Sequence, residues 1–292
     1  MKPPPFEYFS PAQLPEAVQL YAGSENARVL AGGQSLMAML NMRFIFPERL
    51  IDLNRIADLD YIREANDEIV IGAMTRQHTI QRSHLIASKL PVIPRALRYV
   101  GHIQTRNRGT IGGSLCQLDP SAELPSLATA YDAVVEAVGP NGLRKIPFSD
   151  FPAFFMTPSL EPNEILTAVR FKPWPGLVGY GFHEFSRRHG DFAIAGAITM
   201  LSTDSSLTIQ RAAITLFGIA HSPVRASEAE AFLKGQRPST ALFREAAALC
   251  PGLATLDDSY GSSSYRGHVA ASMVERALAD SDTELRTLRA SK

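Results

Sequence analysis

Residues 110–125 read TIGGSLCQLDPSAELP, and residues 29–40 read VLAGGQSLMAML. Each stretch sets a doubled glycine between a short apolar run and a helical pattern. Glycine reaches positive φ at little cost and lets another group approach the main chain closely. A turn of this kind, after a strand and before a helix, presents bare N–H groups. Such groups bind anions, phosphate among them, without Lys or Arg. Gln34 and Ser35 add short polar groups at the first bend, and Thr110 and Ser114 add them at the second. Two such bends suit the two phosphates of a dinucleotide. Taken singly, each pair also reads as an ordinary turn with no ligand. Neither is a G-x-G-x-x-G fingerprint or a Walker A loop.

Outward from the first bend, the chain alternates strand and helix. FEYFS is a strand candidate. A helix follows from about Gln13, with Leu14, Ala17, Val18, Tyr21 and Ala22 on one face and Gly23 as its stop. Pro15 fits only its first turn. RVLA, the bend, the short helix SLMAMLNM and the strand RLIDL complete a small parallel sheet. Around the second bend the order differs. EIVIGAM is a strand, residues 75–100 are helical with Pro91 and Pro94 at helix starts, GTIGGSLC is extended, and SAELPSLATAYDA is helical. AVVEAV and LRKIPF flank the turn GPNG as a hairpin, and EILTAVRF is a further strand. KPWPGLVGYG, residues 172–181, reads as a linker. Beyond it come the strands AIAGAITMLST and TIQRAAITLFG and helices near 224–234, 239–249 and 262–280.

The 292 residues, 45% apolar, suffice for two domains. Basic and acidic residues balance at 29 each, with no basic cluster to track a phosphate backbone, so nucleic acid is excluded as a partner. No apolar run is long enough to span a membrane. MKPPPFEYFS lacks the apolar core of a secretory signal, and a cytoplasmic location is expected. The two cysteines, Cys116 and Cys250, cannot hold an iron–sulfur cluster, and the histidines form no zinc-ligand spacing. Redox chemistry would need an organic cofactor or another chain, and no metal ligands are assigned.

AGGQSLMAMLNMRF, RLIDLNRI, IGAMTRQ, RNRGTIGGSLCQLDPSAELP, EILTAVRF and FSRRHGDFAIAG follow one another in an order and spacing that resemble the flavoprotein (medium) subunit of molybdenum hydroxylases, the xanthine dehydrogenase and carbon monoxide dehydrogenase family. The resemblance covers nearly the whole chain, most specifically at the two bends. It implies an α+β fold: an FAD-binding domain of the PCMH/vanillyl-alcohol-oxidase type over 1–175, in subdomains of about 1–56 and 57–175, and a smaller C-terminal domain over 176–292 with a three-stranded antiparallel sheet and helices. It implies an oxidoreductase subunit that passes electrons from two [2Fe–2S] clusters on a small subunit, through FAD, to an external acceptor. A large subunit with molybdenum pterin would hydroxylate a small substrate, N-heteroaromatic compounds among them. The assembly implied is a dimer of heterotrimers.

The resemblance also implies site residues. Ala31, Gly32, Gly33, Gln34, Ser35 and Leu36 would wrap the FAD diphosphate from one side. Thr110, Ile111, Gly112, Gly113, Ser114 and Leu115 would wrap it from the other. Val100, Gly101, His102 and Ile103 match a segment lining the flavin, and Leu166 matches an apolar cofactor contact. Glu123 matches an acidic residue reaching cofactor hydroxyls; a plain helix N-terminal acid is the alternative. His183 falls where some relatives carry Lys. Residues 184–194 match a loop near the flavin ring, with Gly190 and Asp191 where NAD-using relatives place an acid and Phe192 read as a core aromatic. Arg187 and Arg188 read as a solvated or subunit-facing pair. Arg106 and Arg108 read by default as surface salt-bridging residues, with phosphate or a partner as the alternative. Cys116 reads as a small buried hydrophobe, and Met37, Met39 and Met42 as core or subunit contact. No residue is assigned to catalysis on the organic substrate. A self-sufficient FAD-dependent oxidase and a flavin-free assembly module are the rival readings. Gly33→Val and Gly113→Val are each expected to abolish FAD retention, measured as loss of visible flavin absorbance from the purified chain.

Overall fold

The structure is a computed structural model and describes residues 2–291. Strands β1 (Glu7–Phe9), β2 (Ala27–Leu30) and β3 (Arg49–Asp52) form a parallel sheet in the order β1-β3-β2. Helix α1 (Leu14–Ala22) crosses between the first two strands, with Pro15 in its first turn. It buries Ala17 and Val18 against Ala27 and Ile51 of the sheet. Helix α2 (Leu36–Asn41) follows β2 through the first glycine bend.

A second sheet is antiparallel. It is built from β4 (Ile62–Ala65), β5 (Glu68–Gly72), β6 (Val134–Gly139), β7 (Gly142–Pro147) and, after a small hairpin of β8 (Pro152–Phe154) and β9 (Thr157–Pro158), β10 (Ile165–Phe171). Its order is β4-β5-β10-β6-β7. The β6–β7 hairpin turns at Pro140–Asn141, as GPNG predicts, with Gly139 opposite Gly142. Six short helices follow β5: α3 (Gln77–Arg82), α4 (His84–Lys89), α5 (Val92–Ala96), α6 (Ile103–Arg108), α7 (Ile111–Gln117) and α8 (Glu123–Ala130); all but α6, which rests on α3, add side chains to the core over this sheet. Ile71, Val135 and Val169 from the strands meet Ile80, Ile93, Leu115 and Leu127 from the helices in the main core. Each such fully buried aliphatic side chain contributes about 1.5–3 kcal/mol, so this core, and not any single polar contact, sets the stability.

The third sheet, β11 (Val178–Phe185), β12 (Ala195–Thr203), β13 (Ile209–Phe217) and the two-residue β14 (Val224–Arg225), is antiparallel in chain order. Its three long strands are those the resemblance implies. One face sends Phe182, Ile198, Met200 and Phe217 into the main core. The other face, with Ala197, Ile214 and Leu216, is covered by α9 (Ser227–Leu233), α10 (Thr240–Ala248) and the long α11 (Ser263–Ala290).

The linker expected over 172–181 is corrected in its second half, because β11 begins at Val178. Its glycines serve close packing. A Cβ at Gly179 would overlap the Ser281 carbonyl oxygen. One at Gly181 would overlap the Ala277 carbonyl oxygen and stand 2.6 Å from the carbonyl carbon. The α11 backbone therefore lies directly on β11. Gly181→Ala should separate them and destabilise the chain by about 1–3 kcal/mol, as overpacking of a tight core does, measured by urea denaturation.

Candidate cofactor site

The first bend leaves β2 at Leu30 and enters α2 at Leu36. Gly33 sits at φ +73°, where only glycine is at ease. Among the described residues, the amides of Gly32, Gly33, Gln34 and Ser35 have no protein acceptor; the Gln34 side chain donates to the Gly32 carbonyl at 3.3 Å. A polar main-chain group without a partner at a partly buried turn is costly unless something else satisfies it.

The second bend is built otherwise. GTIGGSLC, expected to be extended, is α7 with Thr110 as its N-cap. Two contacts drive the change. The Thr110 hydroxyl accepts the Gly113 amide at 3.1 Å. Gly112 lies flush on Ala73, where a Cβ would stand 2.6 Å from the Ala73 Cβ. The Ile111 and Gly112 amides donate to the Thr75 and Ala73 carbonyls at 3.1 and 2.9 Å. The bare N–H groups expected here are thus spent on the 73–75 segment.

The two bends touch. A Cβ at Gly32 would overlap the Arg108 carbonyl oxygen and stand 2.8 Å from Gly109 Cα. A Cβ at Gly113 would lie 3.5 Å from the Ala31 Cβ. The structure therefore gathers Ala31–Leu36 and Thr110–Leu115 into one place. It also alters why substitution there should matter. At Gly33 the obstacle is the positive φ, with Met37 and Leu30 side chains at 3.1 and 3.3 Å; at Gly113 it is Thr110 Oγ1 at 2.9 Å.

Val100–Ile103 forms the turn into α6. Arg106 shapes it, donating through one Nη to the Val100 and Gly101 carbonyls at 2.9 and 3.1 Å, so this arginine is engaged within the chain. The 186–192 loop rests on the same turn: a Cβ at Gly190 would stand 3.0 Å from His102 Cε1. His189 packs edge-on to Tyr99, which also meets Phe182 at 5.0 Å between ring centroids. Phe192, read as a core aromatic, is instead 66% exposed. Arg187 lies over the Tyr260 ring at 4.8 Å. Cys116 is a half-buried thiol pushed up to about 12 by burial, which suits a packing role. Met37 packs on the first bend, and Met42 is exposed.

Two carboxylates are largely withdrawn from solvent in this region, close enough for the charge of Glu184 to act on Glu123. Glu123 opens α8 and is 7% exposed. Burial pushes its carboxyl up to about 8; the nearby Glu184 and Asp119 charges push the same way, while its own backbone N–H and Arg106 pull it down. Burial also raises Glu184 to about 7, and its Oε2 is buried with no hydrogen-bond partner. Strand alternation explains the placement. Phe182 and Glu184 point towards the helices of the second sheet, while Gly179, Gly181 and His183 point towards α11. His183 Nε2 accordingly meets Asp280 of α11 at 3.1 Å, and the structure does not bring it to the bends. Leu166 is buried in the main core on β10, a strand that packs against α7.

Asn54 and Arg76 are residues to which the sequence assigned no individual role, and Glu184, expected to open a loop near the flavin ring, is instead a buried carboxylate on β11. The signal for Glu184 was parity with Phe182 along the strand. A cleft of about 550 Å³ lined by Asp60, Tyr61, His78 and Arg82 contains none of the expected cofactor residues. Among the described residues no three His, Cys, Asp or Glu side chains cluster as metal ligands, and no helix is long and apolar enough to cross a membrane.

Comparison with known proteins decides the family. Residues 4–174 match the model of the FAD binding domain in molybdopterin dehydrogenase, and residues 180–281 that of the CO dehydrogenase flavoprotein C-terminal domain. The chain belongs to the FAD-binding medium-chain family of the molybdenum hydroxylases. It is 40% identical to 6-hydroxypseudooxynicotine dehydrogenase complex subunit alpha of Paenarthrobacter nicotinovorans, covering 96% of this chain and 95% of the relative. It is 36% identical to the carbon monoxide dehydrogenase medium chain of Afipia carboxidovorans, covering 95% and 97%. A solved carbon monoxide dehydrogenase from Hydrogenophaga pseudoflava, which lacks the Mo-pyranopterin moiety of its cofactor, superposes with a TM-score of 0.94 at 35% identity, covering 97% of this chain and 99% of that one. The chain is thus an oxidoreductase subunit with an FAD-binding domain. Its residues fit that cofactor. The four unpartnered amides of the first bend suit a diphosphate, and the orphaned carboxylate oxygen of Glu184 suits a hydroxyl donor.

The carboxylates set a pH dependence. Both groups titrate near 4.5 when unperturbed and hold their protons to about 7 and 8 in the folded chain. Between those values the folded state binds more protons than the unfolded one, so stability falls as pH rises. The FAD-free chain should melt at progressively lower temperature from about pH 5 to about pH 8, and the Glu123→Gln/Glu184→Gln chain should show a flatter profile in the same calorimetric series.

Proposed function

We propose that this chain is the electron-transfer subunit of a cytoplasmic heterotrimeric molybdenum hydroxylase, paired as a dimer of heterotrimers. Its partners are a small subunit with two [2Fe–2S] clusters and a large molybdenum pterin subunit. The large subunit hydroxylates a small substrate, and N-heteroaromatic compounds fit the relative named for 6-hydroxypseudooxynicotine. Residues 1–175 hold FAD, and residues 176–292 cover part of it. The observation that carries this reading is the contact between the two glycine bends, one of which keeps its amides free.

FAD, when bound, exchanges electrons one or two at a time and so links cluster chemistry to an external acceptor. The chain's own residues bind and orient it. Ala31–Leu36 offer amides to the diphosphate, and Thr110–Leu115 form the facing wall. Val100–Ile103 and the 186–192 loop bound the flavin end. Glu123 and Glu184 accept from cofactor hydroxyls, which favours their charged forms and releases protons on binding. No group here acts as acid or base on the organic substrate. Exposed Met42, Phe44 and Phe46, close together after α2, support a subunit contact.

The test is purification of the native assembly with identification of its chains, metals and flavin. Three chain types with iron, molybdenum and FAD together are expected. A lone yellow chain that oxidises an organic substrate by itself would point to the self-sufficient oxidase instead.

A further inference from the structure

The motifs RLIDLNRI and IGAMTRQ carry two side chains that the family reading leaves without a task. Asn54 follows β3, and Arg76 follows β5, so they come from different sheets. The Asn54 amide nitrogen donates to the Ala31 carbonyl at 2.9 Å, at the edge of the first bend. The same nitrogen also donates to Asp52 Oδ1, which accepts the Asn54 backbone amide at 2.8 Å. Asp52 is held from its other oxygen by the Tyr8 hydroxyl. The Asn54 side-chain oxygen accepts from one Nη of Arg76, and the other Nη of Arg76 donates to the Arg108 carbonyl. That carbonyl is the group lying against Gly32. The Arg76 backbone also bridges Thr110, the cap of the second bend.

The orientation of the Asn54 amide is fixed by this arrangement. Its nitrogen meets a carbonyl and a carboxylate, and its oxygen meets a guanidinium; the flipped amide would set like against like at all three contacts. The arginine matters for its fork. Two parallel donors reach two acceptors that a single ammonium cannot span with the same geometry.

We propose that Asn54 and Arg76 are positioning residues for FAD, a two-residue strap that ties the carbonyl edge of one glycine bend to that of the other and so fixes the gap into which the diphosphate fits. The proposal rests on the reading that both bends hold the cofactor. It assigns no contact between either side chain and FAD. A strap of this kind acts as one unit, so loss of either member should cost nearly as much as loss of both.

The experiment compares Asn54→Ala, Arg76→Lys, the double variant and Gly33→Val in the full chain. Each is stripped of flavin and titrated with FAD by fluorescence, and each flavin-free form is melted. Each strap variant should bind FAD about tenfold more weakly or worse, the scale of one lost hydrogen bond to a charged group. The double variant should be little worse than the weaker single one, and flavin-free melting should change far less than affinity. Arg76→Lys keeps the charge and the aliphatic stem, so it carries the test if Asn54→Ala does not fold. Wild-type affinity in the strap variants, additive losses, or melting that falls in step with affinity would each overturn the strap. If Gly33→Val also retained FAD, the two-bend reading itself would fail; if it alone lost FAD, only the strap would.

Discussion

The Arg108 carbonyl lies where a side chain at residue 32 would be, so the two glycine bends meet main chain to main chain. No other residue at position 32 permits that approach. The contact joins a parallel sheet and an antiparallel one that share no strand. It also divides labour between the bends. The 109–113 segment spends its amides on Ala73, Thr75 and Thr110 and becomes a rigid wall. Among the described residues the amides of 32–35 meet no acceptor, so their hydrogen-bonding capacity stays available to a ligand. Unpartnered backbone amides of this kind can receive an anion without a lysine or arginine.

The buried carboxylates belong to the same logic. An isolated folding unit gains nothing from two desolvated acids, since burial disfavours the ionised form of each and the Glu184 charge adds to the effect on Glu123. Their presence at the start of α8 and on β11 is a local cost in stability of the kind found where a ligand completes the site. Arg106, which acts on Glu123, is the same side chain that holds the Val100–Gly101 turn, and this ties the electrostatics to the geometry.

Much of this was legible in the residues. Alternation of strand and helix before Asp52 gave the parallel sheet, GPNG gave the hairpin, and the paired motifs gave the family. What escaped did so for physical reasons. Two adjacent glycines are poor helix formers, so α7 is invisible until Thr110 caps it and Ala73 packs on it. Gly179 and Gly181 look like linker residues because the helix pressed on them lies about a hundred residues further on. The parity of β11, which sends Glu184 inward and His183 to Asp280, depends on which face the main core claims. Phe192 is aromatic and opens the apolar run Phe192–Ala195, yet the sharp loop at Gly190 turns it outward. Asn54 and Arg76 stood inside quoted motifs, but their meeting is a product of tertiary structure.

The third sheet contributes Phe182, Ile198, Met200 and Phe217 to the same apolar interior as Ile71 and Val169. Swinging the C-terminal half away as a body would expose those side chains to water, a penalty far above thermal energy. No hinge therefore opens between the second and third sheets.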